Sequence, residues 1–328
     1  MSSQIARRLA LLTGAAFCAL TAGFAAGQAA YPSKPIRLIA PFPPGGSSDT
    51  IARILGQKLA EDWKQRVVVD NRPGASGSIG TGIAAAAAAD GYTLVVGSVA
   101  PIVLNPLFYK TPYNSLRDFV PVSIVASAPQ LIVVKSTFPV KSMQDLIALA
   151  KSKPGALNFG SSGSGTLPQL GGLMFNTVTG AKITEIPYKG QAPALVDLMG
   201  GQVQVVFSDM PVSLPYVKSG AFRAIAVAGS KPFPLTPGVP TAIEAGLPGF
   251  VLDNWWGLLI PKGAPKSIVD RINAGIVKAL KQPDVVERYT ALGIESVTST
   301  PQEFTSIIKS DQVKYVKVIK DAGIVMEP

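Results

Sequence analysis

Two loops rich in glycine and serine carry the residue types that could do chemistry in this chain. The first covers residues 41–48 and reads PFPPGGSS, and the second covers residues 161–166 and reads SSGSGT. The first follows an apolar run typical of a buried strand, the second follows an expected strand, and each precedes apolar residues at helical spacing. Such a junction collects the unpaired N–H groups and the positive dipole end of a helix, an arrangement that binds an anion. An ordinary βα turn is the alternative for the first loop.

The residue types that the chain lacks exclude most catalytic and metal chemistry. No His occurs anywhere, and the single Cys is Cys18. These absences exclude a Ser-His-Asp triad and any His-ligated metal site, and they leave no Cys nucleophile after position 18. Neither loop matches a dinucleotide-binding GxGxxG motif or a P-loop ending in GK[ST]. The sequence therefore predicts no enzyme and no cofactor. A hydrolase that uses a loop serine with Lys189 as base is the enzymatic alternative.

The first thirty residues have the layout of a secretory signal peptide. Arg7 and Arg8 precede an apolar, Ala-rich stretch over residues 9–26, and small residues follow it. We predict export to the periplasm with cleavage near Ala29 or Ala30, and an uncleaved membrane anchor is the alternative. Cleavage there removes two arginines and no acidic residue, which lowers the formal net charge of the chain from +10 to +8.

The composition indicates a globular protein with a sizeable core. Hydrophobic residues make up 47% of the 328 residues and charged residues 15%, which argues against disorder. The positive charge is spread along the chain and is not clustered with aromatic residues. We therefore expect anionic ligands and no nucleic-acid partner.

Alternating strand and helix signals predict an α/β fold. Apolar runs at residues 36–40, 67–70 and 93–97 alternate with helical patterns, one of them Ala-rich over residues 84–89. Ligands of such sheets lie beyond the carboxyl ends of the strands. Ser98, at the end of the third run, is therefore expected at the same edge as the first loop.

A second strand end carries a carboxylate. Asp209 follows the apolar run at residues 203–207. It could accept a hydrogen bond from a ligand amine or hydroxyl, and capping of the helix that follows is the alternative role.

Two loops of one kind in separate halves of the chain predict two lobes that face each other across a ligand. We expect each lobe to be a mostly parallel sheet flanked by helices. Crossings are predicted near Ala128-Pro129 and in the Pro-rich segment over residues 229–240. The predicted domains are residues 31–127 together with 230–328, and residues 128–229.

Four motifs in chain order resemble those of Bug-type extracytoplasmic solute receptors, the substrate-binding proteins of tripartite tricarboxylate transporters. The motifs are PFPPGG at residues 41–46 with Asp49 and Arg53, NRPGA at residues 71–75 with Gly77 and Gly80, the loop at residues 161–166, and Trp256-Gly257 followed by the Pro261 loop. The similarity spans nearly everything from Tyr31 onward. It implies a periplasmic, two-lobed binding protein that captures a small carboxylate and works with the membrane components of such a transporter. A monomer is expected for a freely diffusing receptor.

The resemblance also implies which residues hold the carboxylate, largely through backbone amides and hydroxyls. They are Phe42, Gly45, Gly46, Ser47 and Ser48 in the first loop and Ser161, Ser164, Gly165 and Thr166 in the second, with Ser98 and Asp209 at further contact positions. Gln169 stands where many relatives carry a histidine, so the identity of the acid is not predicted. A receptor that presents its ligand to a membrane signalling protein is the alternative to a transport role.

Overall fold

The structure is a computed structural model that describes residues 31–321, 323 and 324. The fold described below is that of the unit that begins at Lys34. The predicted signal peptide, with its cleavage position near Ala29 and Ala30, lies outside the described residues. No helix in the described part of the chain has the length and apolar character needed to cross a bilayer.

Strands and helices alternate along most of the chain. The strands are β1 (Ile36–Ala40), β2 (Val67–Asn71), β3 (Thr93–Ser98), β4 (Phe119–Lys135), β5 (Leu157–Ser161), β6 (Ile183–Pro187), β7 (Val205–Asp209), β8 (Phe222–Val227) and β9 (Asp253–Pro261). The helices are α1 (Ser47–Trp63), α2 (Ser78–Ala85), α3 (Asn105–Phe108), α4 (Met143–Ser152), α5 (Leu167–Thr179), α6 (Gln191–Gly200), α7 (Met210–Lys218), α8 (Lys266–Leu280), α9 (Pro283–Ala291) and α10 (Pro301–Asp321). A short 3-10 turn at Ala75–Gly77 precedes α2, and a π-helical turn at Ala100–Leu104 precedes α3.

The strands form two sheets that share β4. The first sheet has the order β2-β1-β3-β9-β4, and the second has the order β8-β4-β7-β5-β6. The α/β class is as predicted, but the expectation of mostly parallel sheets is wrong. Parallel pairs involve β1 and β5, whereas every pairing of β4 and β9 is antiparallel. The reason is the path of the chain. Strand β4 leaves the first sheet at Pro129, and β9 enters the sheet opposite that residue, at Asp253, so β9 runs antiparallel to β4.

The register of β4 brings the two sheets together at one point. Its first part pairs with β9 up to Pro129, which lies opposite Asp253. Its second part pairs with β7 and β8 from Gln130 onward, and Gln130 lies opposite Asp209. The chain therefore changes sheet next to Ala128-Pro129, within one continuous strand. The same register places the end of β7 beside the start of β9.

The segment between β8 and β9 packs on the second sheet. The amide of Leu252 donates to the carbonyl oxygen of Ala228 over 2.7 Å, and the ring centroids of Phe250 and Phe207 are 6.0 Å apart. The chain rejoins the first sheet only at Asp253. This return comes later in the chain than the Pro-rich segment from which the second crossing was predicted.

Helix α2 begins earlier than the sequence predicts. The expected helix covered residues 84–89, whereas the observed helix is Ser78–Ala85. A Cβ added at Gly80 would lie 2.5 Å from the carbonyl oxygen of Arg72 and 3.0 Å from Cα of Pro41. Small residues therefore let α2 lie directly on the backbone of the first sheet, as the glycine pattern suggested. Apolar periodicity does not detect this helix because its buried face includes serine, glycine and threonine.

We expect Gly80→Ala to destabilise the protein, although alanine favours helix formation. The atoms that the new methyl group would meet belong to the backbone, so overpacking should cost about 1–3 kcal/mol. Gly200→Ala is the matched control, since its Cβ would meet only Gln202 at 4.0 Å. Urea unfolding measures both. A Gly80→Ala variant as stable as the control would contradict the close packing of α2.

Candidate functional site

A small cavity lies at the junction of the two sheets. Its volume is about 40 Å³, which at about 10–15 Å³ per water molecule holds about three waters or one carboxylate group. The lining residues are Phe42, Pro43, Gly46, Ser47, Ser48, Ser98, Ala100, Ser162, Thr166, Leu167, Pro168, Gly190, Gln191, Ala192, Pro193, Asp209, Asn254 and Trp256. None of these is Lys or Arg, so a ligand in the cavity contacts no positively charged side chain.

Three helix N-termini line this cavity. Ser47 and Ser48 open α1, Leu167 opens α5, and Gln191 opens α6. The first amides of a helix have no acceptor within the helix, and the aligned peptide dipoles place partial positive charge there. Three such ends around one buried space can bind an anion through N–H groups alone.

In both Gly/Ser loops, the third residue of the following helix fixes the loop. The Asp49 carboxylate accepts a hydrogen bond from the amide of Gly45 at 3.0 Å, and the Gln169 carbonyl oxygen accepts one from the amide of Gly165 at 2.7 Å. These bonds resemble a capping box displaced by one residue. They occupy the amides of Gly45 and Gly165 but leave those of the first helical residues for a ligand.

Asp49 is the centre of the network that fixes the first loop. Its carboxylate lies 2.9 Å from the Arg53 guanidinium and accepts from Asn71 at 3.0 Å. The same Asn71 amide group donates to the carbonyl oxygen of Phe42 at 3.0 Å. Burial alone would raise the pKa of Asp49, but the hydrogen bonds from Arg53, Gly45 and Asn71 bring it below its usual value. Asp49 is therefore a positioning residue that acts as an anion at neutral pH.

Glu185 on β6 plays the corresponding part for the second loop. It accepts from the Ser161 hydroxyl at 2.6 Å and from the Gln169 side-chain amide at 3.0 Å. The Thr166 hydroxyl donates to the carbonyl oxygen of Gly163 at 2.6 Å, which closes the loop on itself. The Ser161 hydroxyl is therefore committed to the protein, and Ser161 does not line the cavity.

Asp209 is a buried acid at the centre of the junction. Its Oδ1 accepts from the side-chain amides of Gln130 and of Asn254, the latter at 3.0 Å, and its Oδ2 lies 3.0 Å from the Ser47 hydroxyl. The alternative role in capping α7 is wrong, because its side chain makes no capping hydrogen bond. Burial raises the pKa of Asp209, and the bonds from Asn254, Gln130 and Ser47 oppose that rise.

The hydrogen-bond pattern around Asp209 suits a protonated carboxyl group. Oδ1 receives two N–H donors, as a carbonyl oxygen does, whereas Oδ2 faces a hydroxyl that can donate or accept. A neutral Asp209 would not repel an anion bound in the same cavity.

Gln191 presents a free donor to the cavity. Its Oε1 accepts from the Ser208 hydroxyl and from the Asp209 amide, both at 2.9 Å. Its Nε2 has no hydrogen-bond partner among the described residues, although the residue is only 5% exposed. An unpaired buried donor costs free energy, so this atom is suited to donate to a ligand.

The structure separates the eleven predicted site residues into three groups. Those that line the small cavity are Phe42, Gly46, Ser47, Ser48, Ser98, Thr166 and Asp209. Ser164 lines a second, wider cavity, whereas Gly45, Ser161 and Gly165 line neither cavity and belong to the bonds that fix the loops.

Sequence reasoning missed the third helix N-terminus and the residues of β9. Gly190 follows β6 and precedes α6, the same order of strand, glycine and helix that identified the other two loops. Asn254 and Trp256 had no comparable signal, because they reach the cavity only through the pairing of β9 with β4 and β3.

The wider cavity has a volume of about 730 Å³ and adjoins the small one, with which it shares Phe42, Pro43 and Ser162. Lys189, the base of the hydrolytic alternative, is an exposed residue on its wall. Across the described residues, no group of three or more His, Cys, Asp or Glu side chains is placed to hold a metal ion.

Glycines allow the loops before α5 and α6 to lie close to the segments that face them across the junction. Gly165 has φ +72° and Gly190 has φ +122°, conformations that side-chain-bearing residues rarely adopt. A Cβ at Gly165 would lie 2.6 Å from Oδ1 of Asn105, and one at Gly190 would lie 3.1 Å from Pro43. The Ser76 hydroxyl also donates across the gap to the carbonyl oxygen of Ser164 at 2.5 Å.

Comparison with known proteins identifies the family that this chain matches. A sequence model described as "Tripartite tricarboxylate transporter family receptor" matches residues 51–324. Protein BugT of Bordetella pertussis is 40% identical over 307 residues, which are 92% of this chain and 94% of BugT.

Solved structures agree with that match. The R. palustris protein Rpa4515, solved with adipate, has a TM-score of 0.87 at 35% identity, covering 90% of this chain and 99% of its own. MatC (Rpa3494) from Rhodopseudomonas palustris, solved with bound malate, has a TM-score of 0.84 at 32% identity, covering 88% of this chain and 100% of its own. These likenesses confirm the predicted two-lobed fold of periplasmic binding proteins.

We expect Gln191→Glu to weaken carboxylate binding by roughly tenfold or more, because it replaces a donor with an anionic oxygen while keeping the acceptor for Ser208. Gln282→Glu, which makes the same charge change at the residue before α9 and borders neither the small cavity nor the wider one, is the control. Calorimetry with whichever of acetate, malate and phenylacetate the wild type binds measures both. Equal affinities for the two variants would mean that Gln191 does not donate a hydrogen bond to the ligand.

Asp209→Asn tests the protonation of the buried acid. Because the pKa of Asp209 is raised in the folded state, its contribution to stability is full below the unfolded pKa and is lost as pH rises through the folded pKa. The asparagine variant does not titrate, so its free energy of unfolding relative to wild type should increase as the pH is raised above about 4, over the range in which folded wild-type Asp209 loses its proton. Urea unfolding across that range measures the difference. A flat or falling difference would contradict a raised pKa.

Proposed function

This chain belongs to the tripartite tricarboxylate transporter receptor family, and on that premise we propose that it captures a small organic acid by its carboxylate and delivers it to the membrane components of such a transporter. Members of this family are periplasmic receptors, not enzymes. The observation that carries the proposal is the meeting of three helix N-termini around one buried cavity without a lysine or arginine.

Several features favour a carboxylate over other anions. The cavity has room for one planar group of three heavy atoms, and its donors are neutral amides and hydroxyls. A carboxylate that accepts from such donors forms charge-assisted hydrogen bonds, which are roughly twice as strong as neutral ones. The ligands of two related structures, adipate and malate, both carry this group.

In the proposed complex, the carboxylate accepts from the first amides of α1 and α5 and from Nε2 of Gln191. Phe42 and Trp256 on the walls keep water away, which strengthens these bonds. Gly45, Ser161 and Gly165 support the loops without touching the ligand.

Binding of this kind joins the two lobes. We propose that the lobes follow the predicted domains, residues 31–127 with 230–328 and residues 128–229, with the return to the first sheet completed at Asp253. Donors from α1 on one side and from α5 and α6 on the other act on a single group, so the ligand favours the closed arrangement. We propose that the receptor acts as a monomer.

The first test is a thermal-shift screen of the purified protein against di- and tricarboxylates, acidic amino acids and aromatic acids. A ligand at a hundred times its Kd adds about 2.7 kcal/mol to the free energy of unfolding, enough to raise Tm by several degrees. The protein is unfolded, dialysed and refolded first, which removes any acid carried through purification. Silence across the panel after refolding would count against carboxylate capture.

The second test separates the backbone amide of Ser47 from its hydroxyl. Proline suits the first position of a helix, and the preceding Gly46 already has the extended conformation that a proline requires (φ −79°, ψ 169°). Ser47→Pro therefore removes the amide donor and keeps α1, whereas Ser47→Ala removes only the hydroxyl. We expect Ser47→Pro to weaken binding by roughly tenfold relative to Ser47→Ala, measured by calorimetry. Equal affinities would mean that this amide does not hold the ligand.

Delivery is tested in cells. Deletion of the gene should abolish uptake of the acid identified in the screen, and expression of Ser47→Pro should restore uptake less than Ser47→Ala. Uptake that survives deletion, together with a lost transcriptional response to the acid, would favour the signalling alternative over transport.

A further inference from the structure

The small cavity leaves most of any organic acid without a place. At about 40 Å³ it has room for little more than a carboxylate group. The wider cavity shares Phe42, Pro43 and Ser162 with it and has a volume of about 730 Å³, within the range of small-molecule sites. Continuity of the walls makes this cavity the place for the remainder of the same molecule.

The wall of the wider cavity is mostly apolar. Its larger side chains are Phe42, Pro43, Pro73, Ile79, Tyr109, Pro112 and Tyr188. Ile79 and Tyr109 are 51% and 39% exposed, so each has apolar surface available for contact with a ligand. They belong to different segments, one in α2 and one just after α3, and both border the same space.

The wall carries charged side chains of one sign only. None of its lining residues is Asp or Glu, and its two lysines, Lys110 and Lys189, are exposed. The Ser76 hydroxyl is committed to the carbonyl oxygen of Ser164. The largest side chains of the wall therefore offer contact area to an apolar group, and its charged groups lie at the exposed lysines.

We propose that the acid taken by this protein has a substantial apolar body, an aromatic ring or a chain of about four or more carbons, which lies in the wider cavity against Ile79, Tyr109 and Tyr188. The inference rests on the proposed carboxylate site and names its ligand class. Short acids that carry hydroxyl groups on their body are disfavoured, because they bury little apolar surface. Each methylene group removed from water strengthens binding by roughly fourfold.

Calorimetry on the refolded protein with propanoate, hexanoate, phenylacetate and malate tests this inference. We expect hexanoate and phenylacetate to bind at least roughly tenfold more tightly than propanoate and malate. If malate or propanoate bound as tightly as hexanoate and phenylacetate, the proposed preference for an apolar body would be wrong. The proposed carboxylate site would still be supported. No binding of any of the four acids would count against both.

A matched pair of variants locates the body of the ligand. Tyr109 and Tyr216 are both 39% exposed, but Tyr216 lies on α7 and borders neither cavity. We expect Tyr109→Ser to reduce the ratio of propanoate Kd to hexanoate Kd by roughly fivefold, and Tyr216→Ser to leave that ratio unchanged. An unchanged ratio in both variants would overturn the placement against Tyr109.

Discussion

Holding an anion in a buried space without a positive side chain requires several N–H donors to meet at one point. Three βα junctions meet this requirement here, at the ends of β1, β5 and β6. Glycines at 165 and 190 allow the loops to approach the opposite side, and the third residues of α1 and α5 fix the two Gly/Ser loops. The rest of the architecture follows from this need, because β4 must pass between the sheets for the junctions to face one cavity.

In the proposed complex, recognition is divided between two kinds of surface. Backbone amides identify a carboxylate but do not identify the molecule that carries it. The wall of the wider cavity is made largely of side chains, and side chains can discriminate among acids in a way that backbone amides cannot. Asp209 fits this division, since a raised pKa keeps an acid beside the anion site without charge repulsion.

Local patterns predicted the parts of the site that depend on local chemistry. The order of strand, Gly/Ser loop and helix located Ser47, Ser48 and Thr166, since helix N-termini form wherever that order occurs. Asn254 was not predictable, because it reaches the cavity through strand pairing between distant segments. Gly45 and Gly165 were predicted to contact the ligand, but their amides donate to the side chains of Asp49 and Gln169. The sequence alone does not reveal which acceptor a loop amide will use. Gln191 could have been found, because the same order of elements precedes it.

In the proposed complex, backbone amides at the N-termini of α1 and α5 hold the carboxylate together with the side-chain amide of Gln191 at the N-terminus of α6, and amide proton chemical shifts measure this directly. We would titrate ¹⁵N-labelled protein with the acid that stabilises it most. We expect large downfield shifts of the amide protons of Ser47, Ser48 and Leu167, together with a shift of the Gln191 side-chain amide. Unchanged resonances at these four groups under saturating ligand, with the largest shifts elsewhere, would contradict the proposed complex.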